Sequence, residues 1–331
     1  MNGRPQSRQK AGRSVRSTQG RVPFRLLTLP ARYMKMAEAL PGGVMLVRFW
    51  GVRGSTPTPQ AENLRYGGNT SCVEVRVGDS IYVFDCGTGF RSLGQQLTQE
   101  FAGRAVSAHI FVSHFHWDHI QGIPFFRPLF EDPAHRFTFH ASTRNHSLKN
   151  VMEQQMSAPF FPVGVKEMKA QREFFGIEQG RVRIDDHVTI ETKWLNHPQG
   201  CLGFRVESSE GVVVYATDNE PGDEDFDKNV RALAAGSDVL IYDAQYLPDE
   251  YEAKKRGWGH SHWREAVNVA MESGAKELVL FHHDPDHGDA CIDSVVKEAR
   301  NFYPGVRAAA EGMEMRVGEK AGRGVVHASG G

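Results

Sequence analysis

The chain is 331 residues long, 40% hydrophobic and nearly neutral at -1, so it can bury a sizeable core and is not a uniformly basic polyanion binder. No apolar run approaches the roughly 20 residues that cross a bilayer, and the amino terminus lacks the apolar core of a secretory signal, so a cytoplasmic protein without a membrane partner is expected. Cys72, Cys86, Cys201 and Cys291 are scattered without Cys-x-x-Cys spacing, which argues against a disulfide framework or a thiolate zinc site.

Residues 1 to 43 hold nine Lys or Arg against the single acid Glu38, leaving -9 for the remainder. Without periodic apolar residues, the stretch 1-44 reads as a disordered basic tail. A nucleic-acid-binding arm, a transit peptide and an upstream stretch that is not translated are the expectations for it, the last because Met45 opens the first expected strand. Apolar patterning then predicts strands at 45 to 50, 72 to 77, 80 to 85, 108 to 113, 136 to 140, 188 to 195, 202 to 207, 211 to 216, 238 to 243 and 277 to 281. Helices are expected near 89 to 102, 143 to 156 and 290 to 302. Another should start at Ser261 as N-cap, place Trp263, Ala266, Val267 and Ala270 on one face, and end at Gly274. Residues 319-331, rich in Gly and Ala, read as a flexible carboxy-terminal tail. One α/β domain is therefore expected over 45-318.

Directly after the fourth strand stands His114-Phe115-His116-Trp117-Asp118-His119, four candidate metal ligands in six residues. A strand has a side-chain period of two, so His114 and His116 would project to one side, and the following loop would bring Asp118 and His119 toward a second centre. Imidazole nitrogen and carboxylate oxygen suit zinc and similar ions, and a pair of ions can share a hydroxide as nucleophile. Hydrolysis is the first expectation.

The hexad resembles the His-x-His-x-Asp-His motif of the metallo-β-lactamase-fold hydrolases, and four further segments follow the family's pattern. Phe84-Asp85-Cys86-Gly87-Thr88-Gly89 is similar to the first motif, in which an aspartate ending a strand braces the metal-binding loop. His197 in Asn196-His197-Pro198 resembles the third-motif histidine, and Asp218 in Tyr215-Ala216-Thr217-Asp218 resembles the aspartate that bridges two metals. His282, after Leu278-Val279-Leu280-Phe281, resembles the terminal histidine; it is preferred to His283 and His287 because it comes first after the strand. The resemblance implies an αββα sandwich of two mixed β-sheets with its metal loops at one edge. It implies that His114, His116 and His197 hold one ion, that Asp118, His119 and His282 hold another, and that Asp218 bridges them. The ions would be two divalent metals, zinc first, with manganese or iron as alternatives.

Other segments resemble ribonuclease Z and its phosphodiesterase relatives: Gly51-Val52-Arg53-Gly54-Ser55-Thr56-Pro57, Gly67-Gly68-Asn69-Thr70-Ser71 and Gly259-His260-Ser261. That branch implies that His260 acts as general acid tuned by Asp243, with Asp118 also among the catalytic residues; His262 would at most contact substrate. Yet ribonuclease Z carries a tRNA-binding arm between the third-motif histidine and the bridging aspartate, and only twenty residues separate His197 from Asp218. Aromatics in Pro124-Phe125-Phe126, Leu129-Phe130 and Pro159-Phe160-Phe161-Pro162 either roof a substrate pocket or pack helices onto a sheet. The leading expectation is a phosphodiesterase of small phosphodiesters or cyclic nucleotides. A ribonuclease Z-like RNA endonuclease and a thioester hydrolase of the glyoxalase II type are the alternatives, although only 49 residues follow His282, too few for the latter's helical substrate domain. A nucleic-acid partner and a homodimer are both compatible with this reading.

Overall fold

The computed structural model describes residues 43–144 and 146–318. The expected tails, 1-44 and 319-331, lie outside the described residues apart from Gly43 and Val44. Fourteen strands are described: β1 (Met45–Gly51), β2 (Cys72–Val77), β3 (Ser80–Phe84), β4 (Ser107–Val112), β5 (Arg136–Ala141), β6 (Gln171–Gly176), β7 (Gly180–Arg183), β8 (Thr189–Leu195), β9 (Cys201–Glu207), β10 (Val212–Ala216), β11 (Val239–Asp243), β12 (Glu277–Phe281), β13 (Val306–Ala308) and β14 (Glu314–Val317). Helical segments are α1 (Gly89–Glu100), α2 (Trp117–Ile120), α3 (Pro128–Glu131), α4 (Leu148–Gln155), α5 (Glu224–Ala234), α6 (Pro248–Glu250), α7 (Trp263–Ser273) and α8 (Asp289–Ala299). None of the described helices is long and apolar enough to cross a membrane.

The strands form two seven-stranded sheets, ordered β14-β1-β2-β3-β4-β5-β6 and β13-β12-β11-β10-β9-β8-β7. In each, one side is antiparallel and the other parallel: β3 to β6 run parallel in the first sheet and β10 to β13 in the second. Period-two alternation explains how they stack. In β3, Tyr82 and Phe84 face the other sheet while Ile81 and Val83 face α1. In β10 to β12, Val213, Tyr215, Val239, Ile241, Val279 and Phe281 face inward, and Val214, Leu240, Leu278 and Leu280 face the outer helices. Each such side chain, fully buried, contributes roughly 1.5–3 kcal/mol. The result is the expected αββα sandwich.

The ten expected strands all form, each within one residue of its predicted bounds. The sequence patterning does not mark β6, β7, β13 and β14, short or half-exposed edge segments, nor helix α5 and the short helices α3 and α6. The hexad also differs from expectation. β4 stops at Val112, so His114 and His116 do not share a strand face, and Asp118 and His119 ride on the single turn of α2 rather than a loop. The N-cap of α7 is His262, which accepts from the Glu265 amide, and not Ser261.

Candidate metal centre

The carboxyl ends of parallel strands assemble the site. Asp85 follows β3, the hexad follows β4, Asp218 follows β10, Asp243 ends β11 and His282 follows β12. Open α/β sheets place ligands at such ends, where the loops diverge. Asp85, Asp218 and His282 have φ of 62°, 55° and 61°. This left-handed backbone costs a non-glycine residue about 1–3 kcal/mol, and it turns each side chain back over its strand end. Gly54 lets the neighbouring loop come close, since a Cβ there would lie 2.5 Å from the His282 ring.

The hydrogen bonds orient the imidazoles. His119 donates from Nδ1 to Asp85 Oδ2 at 2.8 Å, His197 from Nδ1 to the Gly259 carbonyl at 2.7 Å, and His282 from Nδ1 to Gln245 Oε1 at 3.0 Å. Ser113 Oγ donates to Asp85, which leaves it to accept from His114 Nδ1 at 3.0 Å. With each Nδ1–H so engaged, the four Nε2 atoms are the positions left to bind a cation, and they point into the cluster. His114 Nε2, His119 Nε2 and His197 Nε2 lie 3.5, 3.4 and 3.7 Å from Asp218 Oδ2, and His282 Nε2 lies 3.3 Å from Asp218 Oδ1. Asp118 Oδ2 is 3.2 Å from both His119 and His282, and accepts the Ser55 amide at 2.8 Å. His116 Nδ1 faces His197 Nε2 at 3.1 Å.

Two observations fit these residues to metal ions. His114 Nε2 and His119 Nε2 are buried without a hydrogen bond, an expensive arrangement for ring nitrogens unless they bind a cation. The ligand atoms also fall into compact groups, His114/His116/His197, His114/His119/Asp218 and Asp118/His119/His282. The electrostatics agree. Burial opposes charge on Asp118 and Asp218, but the facing histidines, His119 for Asp118 and His282 first for Asp218, hold both carboxyls well below the usual range. Burial likewise opposes charge on His282, yet Asp218 and Asp118 raise it to about 9, and the carboxylates raise His119 as well. A field that favours a proton there favours a divalent cation. Burial lowers His114, and brings His197 down to about 4, so both present neutral lone pairs. This set is suited to divalent metal ions.

Beside the cluster stands the other expected pair. His260 Nδ1 lies 2.9 Å from Asp243 Oδ2, and Asp243 Oδ1 accepts the amides of Gln245 and Ser261. His260 stacks on His282 with centroids 4.9 Å apart. Every expected site residue therefore gathers in one place. His283 turns away to the Ala309 carbonyl, and His287 pairs with Glu250. His262, as the cap of α7, is engaged with backbone. Several contributors were not anticipated. Ser113 and Tyr215 hold Asp85, Gln245 holds His282, and Gly259 holds His197. The aromatic segments divide: Phe126 and Leu129 are core, Phe126 stacking on Phe90 at 3.9 Å, whereas Phe125 and Phe160 are 52% and 80% exposed.

Fold and site together define a metal-dependent hydrolase built on two mixed sheets. The family described as the beta-lactamase superfamily domain matches residues 81–283, and the chain belongs to that superfamily. A ribonuclease Z of Haloarcula marismortui is 28% identical over 316 residues, covering 82% of this chain and 97% of the relative. The metallo-β-lactamase fold protein YhfI of Bacillus subtilis superposes with a TM-score of 0.63 at 20% identity, covering 83% of this chain and 99% of that one. The short form of human tRNase Z gives 0.60 at 20% identity, with 82% and 98% covered. These two likenesses are of fold.

Proposed function

We propose that the protein is a dinuclear phosphodiesterase acting on small phosphodiesters, its domain spanning 45-318. His114, His116 and His197 would hold one ion and Asp118, His119 and His282 the other, with Asp218 shared; the bound ions would supply Lewis acidity and positive charge opposite the phosphoryl oxygens. The observation that carries the reading is the His260–Asp243 pair beside this cluster. Hydrolysis puts the oxygen of water on phosphorus and breaks one ester P–O bond, and the departing alkoxide needs a proton. Asp243 fixes the His260 ring through Nδ1 and leaves Nε2 free to donate that proton. Asp85, Gln245 and the Gly259 carbonyl keep the other imidazoles in register.

Relatives named ribonuclease Z favour RNA cleavage as a second reading. Against a tRNA substrate stands the segment between His197 and Asp218. It is filled by β9, a turn closed by Ser208 N to Gly211 O, and β10, with no inserted arm. Small diesters therefore lead. The test is His260→Ala. It should retain both metals and slow diesters with alkoxide leaving groups by about a hundred- to ten-thousandfold, while bis-p-nitrophenyl phosphate, whose phenolate leaves unaided, is slowed far less. Equal slowing of both substrates would remove the general-acid assignment, and loss of metal would make His260 a ligand.

A further inference from the structure

The loop from β11 to α7 carries a feature the mechanism does not use. After α6 the chain makes a π-helical turn over Tyr251–Lys255, an uncommon conformation often found at functional sites. Its last residue, Lys255, is half-buried. The ammonium sits 4.2 Å from the Trp258 ring centroid and 5.0 Å from that of Tyr246. No carboxylate among the described residues pairs with it, although Glu252 pairs with Arg256 in the same loop. Tyr246 is buried and meets His260 edge-on at 6.0 Å, and its amide bonds the Ser261 carbonyl. The unpaired cation thus stands one ring away from the His260 imidazole.

The segment is held firmly. Glu220, two residues past Asp218, accepts the Gly257 amide at 2.5 Å and the Gly259 amide at 2.7 Å. Both glycines have φ near +85°, at 84° and 86°. A Cβ on Gly259 would lie 2.3 Å from Pro198 and 2.4 Å from His197 Nδ1. Between them Trp258 is displayed at 57% exposure. Fixing an exposed indole and an unpaired ammonium at a site rim is a poor use of either for stability alone, but it suits a ligand with a flat apolar face and a negative charge.

We propose that Lys255 and Trp258 form a binding subsite for the leaving portion of the substrate, a nucleoside carrying its own terminal phosphate. The base stacks on Trp258 and the phosphate faces Lys255. The inference rests on the phosphodiesterase reading, because His260 marks the side from which the leaving group departs. It narrows the preferred substrates to short 5′-phosphorylated oligonucleotides, which release a nucleoside 5′-phosphate in place of a nucleoside.

The test compares the dinucleotide ApA with its 5′-phosphorylated form pApA in full-length, metal-loaded protein, and measures calorimetric binding of 5′-AMP against adenosine. The wild type should prefer pApA by about tenfold in kcat/KM, mainly through KM, as expected for one charge-assisted contact. Lys255→Gln should remove most of that preference and Lys255→Arg should keep it. The same variants should change the 5′-AMP to adenosine affinity ratio in parallel. A staple role for Lys255 would lower thermal stability and affect both dinucleotides equally. An unchanged pApA to ApA ratio in Lys255→Gln, or no preference in the wild type, overturns the subsite. If no diester is hydrolysed yet the Lys255-dependent preference for 5′-AMP is found, the phosphodiesterase reading fails and the subsite stands.

Discussion

Tyr215→Phe probes the support beneath the metal cluster. Tyr215 is 1% exposed, and its ring belongs to the core between the sheets, 5.7 Å from Phe84 and 5.6 Å from Phe281. Its hydroxyl reaches out of that core and donates 2.7 Å to Asp85 Oδ2, the oxygen that also receives His119 Nδ1 and Ser113 Oγ. Burial, and then Asp85 itself, pushes the phenol far above its usual pKa, so it remains a donor throughout the working pH range. Phe keeps the ring and deletes one of the hydrogen bonds to a buried carboxylate. Because Asp85 retains the Ser113 amide, the Ser113 hydroxyl and His119, the loss falls toward the lower end for a charged acceptor, about 1–2 kcal/mol. In a chain of this size that is a fall of about 2–4 °C in melting temperature. Asp85 also orients His119, so metal affinity should fall by about tenfold, the lower bound for residues that position a ligand, and Asp85→Asn should exceed it. Thermal melts and competition with a chelator of known affinity read the two effects separately. Unchanged melting temperature and unchanged metal affinity in Tyr215→Phe would refute the idea that the core positions the metal loop through Asp85.

Asp218→Ala should lose at least one metal ion per chain, by elemental analysis, together with nearly all turnover; full metal content with normal activity would remove Asp218 from the site. Gly259→Ala should lower both stability and metal content, because its φ is 86° and its Cβ would strike His197 Nδ1, and a crystal structure with an undisturbed His197 would contradict this. On the paired strands β4 and β5, His109 and His140 meet at 3.1 Å, and burial brings them down to about 4 and about 3. The unfolded chain binds their protons first, so their contribution to stability is complete above about pH 6.5 and is lost as pH falls toward 4, by about 3 kcal/mol for His109 alone. A His109→Gln variant should flatten the wild-type fall in melting temperature between pH 7 and pH 5; parallel curves would show that the pair does not titrate in this way.

Much of the candidate site could be read from the chain because its residues recur at one kind of place, within two residues of the end of an apolar run. Asp85, Asp218 and His282 each follow a buried strand whose composition is unmistakable. The supports were harder to read. Tyr215, next to last in Val212–Ala216, looks like any core aromatic, since nothing in the sequence tells which buried phenol reaches a carboxylate 130 positions away. Gln245 and Gly259 act through contacts between loops, which only the topology creates. Helix α5 does carry a signal in the sequence. Asp223 caps it, accepting from the amides of Asp225 and Phe226, and three acids fill its first turn. β13 and β14, of three and four residues, are too short for alternation to show. The error in the hexad has a simple cause. Strand periodicity does not extend past Val112, because the chain bends there and packs α2 against the Asp85 loop, Cys86 N bonding the His119 carbonyl at 2.7 Å.

The most direct test of the central claim is the ratio of kcat/KM for ApA to that for S-lactoylglutathione, measured on wild-type protein whose metal content has been determined. A dinuclear phosphodiesterase with His260 as proton donor should carry close to two ions per chain and strongly prefer the diester. A preference for the thioester over every diester tried would contradict the account, whatever the metal content.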